Sequence, residues 1–209
     1  MEDPMANPRL AAALIAAFAT LAGGAGPAVA AEDGGWPCIQ RRTGALSAAV
    51  IWPHPLPAAE AAALPAGAAD LAAALALRRI SPEAAEARLA TYLANHPGTG
   101  AEAIGAIFLA ALTRIDRDRN RVLDGIGRYA RSQAGLAARI DAGHAALKAA
   151  ETAEPLDFDR IDAIGTQLDW DERIYHDRER ALGYVCETPV LLEKRAFQVA
   201  QMLLRQLPQ

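Results

Sequence analysis

From Ala101 onward, apolar side chains return at helical spacing for some fifty residues. At 100° per residue Ile104, Phe108, Ala111, Ile115, Val122, Ile126, Tyr129, Leu136, Ile140 and Leu147 stay in one stripe. The phase does not slip across Asp124-Gly125-Ile126-Gly127, which predicts one helix over 101–151 rather than two. Two glycines weaken such a helix by about 2 kcal/mol, and at 1.5 Å per residue it measures about 75 Å. Glu154-Pro155 turns the chain. Ile161, Ile164, Leu168, Tyr175 and Leu182 then set the phase of a second long helix, expected to end near Cys186. Thr188-Pro189 reads as a cap followed by a first-position proline, opening a last helix from Val190 to Leu207. A short connection between long amphipathic helices predicts an antiparallel hairpin.

The chain before the hairpin is more broken. Ser81-Pro82-Glu83 supplies a hydroxyl cap, a first-turn proline and a first-turn acid, and Leu89, Tyr92 and Leu93 face inward from the helix it opens. That helix stops before His96-Pro97-Gly98, and Thr99-Gly100-Ala101-Glu102 has the spacing of a capping box. Ahead of it come an alanine-rich turn over 58–64 and a short helix over 68–80. Residues 32–57 hold too many breakers for a helix: Trp36-Pro37-Cys38, Arg42-Thr43-Gly44 and Trp52-Pro53-His54-Pro55-Leu56-Pro57. They predict an extended arm anchored by Trp36 and Trp52 and pinned at its start by Cys38. No segment alternates as a strand does. The fold class is therefore all-α, an antiparallel helical bundle built around a long helical hairpin, with an extended N-terminal arm.

The first thirty residues belong to a different pattern. Arg9 precedes an uncharged run from Leu10 to Ala31, and Ala28-Val29-Ala30 has the small-residue form of a cleavage site. Gly23, Gly24, Gly26 and Pro27 break the run, which favours a cleaved signal over a membrane anchor. Glu2 and Asp3 suit a signal badly, and a start at Met5 removes them. The division expected is 1–30 signal peptide, 31–57 extended arm and 58–209 helical domain, with a periplasmic or secreted product and no integral membrane segment after cleavage. Residues 31–209 suffice for one domain with a proper core. They keep 20 of the 21 basic and 23 of the 25 acidic residues, a balance that gives no case for nucleic acid. Cys38 and Cys186 lie too far apart for a redox or metal pair. In an oxidising compartment they are expected to form a structural disulfide.

Candidate chemistry is sparse. Asp116-Arg-Asp118-Arg-Asn120 with Asp124 resembles the start of a calcium loop, but Arg121 and Gly127 occupy the positions that need glycine and an acid. It reads as a solvated charged face. Glu172 and His176 share a helix face at i, i+4, yet no second pair faces them, so no metal site is assigned. No nucleophile motif, phosphate loop or cofactor fingerprint occurs, and no catalytic residue or cofactor is expected. If the hairpin turns near Ala153, paired residue numbers sum to about 305. That register brings Tyr129, Gln133, Glu172 and His176 together as one partly buried polar cluster, which must be satisfied internally or by a ligand. The function expected is that of an exported, non-catalytic binding or adaptor protein whose partner is another extracytoplasmic protein. The rival readings are a small-ligand or metal carrier using polar residues inside the bundle, and a catalytic accessory of a secreted enzyme system.

Overall fold

The computed structural model describes residues 35–58 and 64–207. The expected signal segment and most of the alanine-rich turn at 58–64 lie outside these residues. The described chain forms α1 (Ala48–Ile51), α2 (Ala68–Ala76), α3 (Pro82–Asn95), α4 (Ala101–Glu151) and α5 (Phe158–Leu204), and no strand occurs among the described residues. The fold is all-α, with α4 and α5 packed along each other as a long hairpin.

A heptad repeat explains the hairpin. Phe108, Ile115, Val122, Tyr129, Leu136, Gly143 and Ala150 recur every seven residues along α4, and all are buried or half-buried. The seam runs past Gly125 and Gly127, so α4 continues through them as the phase predicts. On α5 the same spacing joins Leu168, Tyr175, Leu182, Pro189, Ala196 and Leu203. Two antiparallel helices sharing a 3.5-residue seam bury it by knobs-into-holes packing. At Gly143 the approach is close, because a Cβ there would come within 2.6 Å of Leu168 Cδ2.

α5 does not end near Cys186, and no separate helix begins at Val190; a single helix passes through Pro189. An interior proline removes one helical hydrogen bond and costs about 3 kcal/mol. Pro189, however, is itself a buried member of the seam, and burial continues in phase from Leu182 to Ala196 and Leu203. Packing against α4 on both sides of the proline outweighs the local breaker.

The main core lies at the open end of the hairpin. Trp52 stacks on Phe108 with ring centroids 4.6 Å apart, and Leu71, Leu75, Leu89, Ile104, Ile107, Val199 and Leu203 surround them. α3 starts as its cap predicts, with Ser81 Oγ accepting from the Ala84 amide at 3.2 Å. The capping box before α4 does not form. Gly100 is the cap residue, and the Thr99 hydroxyl donates instead to the His96 carbonyl at 2.8 Å. α2 stops at Ala76, short of the expected Ile80. The buried Arg195 donates from Nε to the Leu75 carbonyl at 2.7 Å and so occupies the end of that helix. Burial lowers the pKa of Arg195, and the negative end of α2 offsets part of that cost.

The described residues before α2 are irregular apart from the single turn of α1. Cys38 and Cys186 are disulfide-bonded, with Cα atoms 5.6 Å apart. Trp52 is 2 % exposed. Trp36 does not enter the core; its Nε1 donates to the Gln40 carbonyl at 2.7 Å within the arm itself. A second fastening comes from residues the sequence assigns to a solvated face. Arg119 is 1 % exposed, donating from Nε to Glu193 at 2.7 Å and from Nη1 to the Gly44 carbonyl at 2.9 Å, while Nη2 reaches Thr43. Asp116 accepts from the Leu46 amide at 2.9 Å, and Asp124 accepts from Arg42 at 3.2 Å. The Asp116–Asp124 stretch is thus the surface on which residues 42–46 are seated. Among the described residues no helix is long and apolar enough to cross a membrane.

Candidate functional site

Beyond the main core α4 and α5 continue with only each other for company, and three polar contacts set their register. Tyr129 Oη donates to the Arg178 carbonyl at 3.1 Å, and Gln133 Nε2 donates to the Tyr175 carbonyl at 3.2 Å. Arg139 grips Asp171 with two bonds, at 2.9 and 3.4 Å. Paired residue numbers therefore sum to 307, 308 and 310, where 305 is expected. The offset separates the four residues of the anticipated cluster. Tyr129 and Gln133 meet α5 backbone, whereas Glu172 pairs with His144 at 2.9 Å and His176 with Glu179 at 3.5 Å. Both histidine pairs are substantially exposed. A helical carbonyl keeps a lone pair free after its own i+4 bond, so the Tyr129 hydroxyl and the Gln133 amide nitrogen are served without a side-chain partner, while Gln133 Oε1 is buried with no partner among the described residues.

These contacts divide the distal hairpin into two faces by helical phase. On the side of Arg139 lie Arg128 of α4, and Arg160, Trp170 and Ile174 of α5. On the side of Glu172 lie Asp162, Asp169, His176 and Glu179. Near the hairpin tip the first face is indented by a groove of about 360 Å³, lined by Arg139, Gly143, Arg160, Ile164, Leu168 and Asp171. Trp170 is 57 % and Ile174 38 % exposed beside it, and Tyr184 and Val185 are exposed farther along. The sequence analysis missed this face because it followed only the buried stripe. A signal was present: Ala163, Trp170, Ile174, Ala181 and Val185 follow one another at intervals of seven, four, seven and four residues.

Two other hollows flank the arm. One of about 410 Å³ lies among Trp52, His54, Leu56, Glu102 and Leu207. The other, about 590 Å³, lies between Leu46 and the Asp116–Asp124 stretch. Neither brings together a nucleophile and a base. Among the described residues no group of three or more histidines, cysteines or carboxylates is arranged to hold a metal ion. No protein-family model, curated protein or solved structure matches this chain.

Asp171 is the one carboxylate of the face with a marked electrostatic environment. Hydrogen bonds from Arg139 hold its pKa below the ordinary 3.8, with desolvation opposing and Gln167 assisting. A depressed carboxylate contributes stability that is present above its unfolded pKa and lost as pH falls through the folded value. Asp171→Asn is therefore expected to lower the melting temperature at pH 7 and to remove part of its fall below pH 3.8. Melting curves collected from pH 2 to 7 on both proteins check this; parallel profiles would show that the Arg139–Asp171 pair contributes nothing.

Proposed function

We propose that this chain is an exported adaptor, acting in the periplasm or outside the cell by docking another extracytoplasmic protein on its hairpin. The observation that carries the reading is the distal hairpin itself. Trp170, Ile174, Tyr184 and Val185 are exposed on a rod whose only apolar seam is already spent between its two helices. Large apolar side chains clustered on one exposed surface mark interaction sites more often than singly scattered ones do. Export is supported by the Ala28-Val29-Ala30 sequence and by a chain whose only two cysteines are bonded to each other.

Photo-crosslinking residues placed at 158, 174, 176 and 184 in producing cells test the docking reading. Adducts from one side of the hairpin with a protein of constant mass are expected; none from any position would sink it. The intact mass of the exported protein is expected to correspond to a start at Ala31 or Glu32. A mass that retains Leu10 to Ala30 would mean an anchored protein.

A second reading, a small-ligand carrier, draws on the 410 Å³ hollow beneath the arm, whose size lies in the range of ligand pockets. Ligand-shift melting with apolar compounds separates the two.

A further inference from the structure

Two helices in contact leave a straight groove on each side, and a third helix laid in one of them makes a three-helix bundle. We infer that the arginine-lined face of the distal hairpin is the docking groove for an acidic amphipathic helix of the partner protein. The inference rests on the reading of the hairpin as a docking platform and names the chemistry of what docks.

The apolar part comes first. Ala163, Trp170, Ile174, Ala181 and Val185 drift little in phase, because intervals of seven and four average close to 3.6 residues per turn. They make a stripe about 33 Å long on the side of α5 next to its buried seam. Across the groove α4 presents small side chains. Ala146 is exposed there, and Gly143 draws Leu168 inward to leave the indentation of about 360 Å³. Small residues on one wall and Trp170 with Ile174 on the other admit a helix at close range.

The charges then select which helix. Arg128 and Arg160 are exposed along the rims, and among the described residues neither is paired with a carboxylate. Of the carboxylates near the stripe, Asp171 is engaged by Arg139 and Asp177 by Arg180, while Asp159 stands one turn before Ala163 at the hairpin tip. On the other side of the hairpin Asp162, Asp169, Glu172 and Glu179 repel the same partner, so the two grooves are distinguished by charge as well as by shape. A second copy is a poor complement, because this face paired with itself sets positive charge on positive charge. A phosphate surface satisfies the arginines but leaves a 33 Å apolar stripe unused.

The test uses the mature, oxidised chain and a designed, capped peptide of about 22 residues. The peptide carries leucines at i, i+4, i+7 and i+11 and glutamates on both flanks. Its partners are a charge-inverted peptide, with lysine for every glutamate, and vesicles containing anionic lipid. The acidic peptide is expected to shift the fluorescence of Trp170 to the blue, a change absent in Trp170→Phe. Ile174→Glu, and separately Arg128→Glu with Arg160→Glu, are each expected to weaken binding about tenfold or more. Glu179→Ala, on the opposite face, is expected to leave it unchanged, and all variants are checked by melting for intact folding. Equal binding of the lysine peptide, preferential binding of vesicles, self-association abolished by Ile174→Glu, or no binding at all would each overturn the inference. Crosslinking in cells keeps the two levels apart. Adducts from position 176 but not from 174 overturn this groove and leave a docking hairpin; adducts from none of 158, 174, 176 and 184 overturn both.

Discussion

Arg119→Ala is expected to lower the melting temperature by about 6–12 °C, the largest effect of any single side chain outside the apolar core. Its guanidinium is 1 % exposed and donates to three residues on two different stretches of chain: Glu193 on α5, and the Gly44 and Thr43 carbonyls on the arm. Truncation leaves those acceptors facing a hole. Breaking a buried charged network by removing one partner costs about 3–5 kcal/mol, and the low end applies because Glu193 keeps access to water. At about 2–4 °C per kcal/mol for a chain of this size, the quoted range follows. Lysine is not expected to rescue, since one ammonium cannot span positions that a planar fork reaches together. Circular-dichroism melting gives the shift, and limited proteolysis shows where it acts: cleavage between 39 and 46 is expected to accelerate first. A loss under 2 °C would mean that the arm is seated by Trp52 and the disulfide alone.

Arg119 also shows why part of the molecule was legible in the sequence and part was not. The hairpin was readable because its cause is periodic and local: seven residues later the same seam needs another apolar side chain, through Gly125 and Gly127 as elsewhere. Pro189 was misread because its local cost is visible in the sequence, whereas the burial that outweighs it comes from α4. The Asp116–Asp124 stretch reads as solvated because charge runs usually are; its seating of residues 42–46 joins positions seventy or more apart and leaves no periodic trace. The polar cluster failed on register. Tyr129 and Gln133 were rightly placed on the buried side of α4, but an offset of two to three positions exchanges Glu172 and His176 for the backbone of Tyr175 and Arg178. The exposed apolar stripe of α5 was legible and unread, since a second stripe has meaning only once the first is known to be occupied.

Removing the disulfide, by reduction or as Cys38→Ser with Cys186→Ser, is expected to lower the melting temperature by about 10–20 °C. The bridge closes a loop of 148 residues, and in the chain-entropy account such a cross-link stabilises by about 5 kcal/mol, chiefly by restricting the unfolded chain. Cys186 sits on α5 less than two turns from Glu193, which accepts from Arg119, and Cys38 lies only a few residues before Thr43 and Gly44. The bridge and the guanidinium thus fasten one short stretch of arm to one short stretch of hairpin. Sites that share a structural partner do not add. Once the covalent tether is gone, residues 35–46 fray more readily in the folded state, and Arg119 then has less ordered chain to hold. Arg119→Ala is accordingly expected to cost less in the serine background than in the bridged protein, by about 1 kcal/mol or more. Denaturant unfolding of the four proteins in that cycle measures the coupling. Strict additivity would show that the arm is held at two independent places, and that the core contact of Trp52 keeps residues 42–46 seated without the bridge.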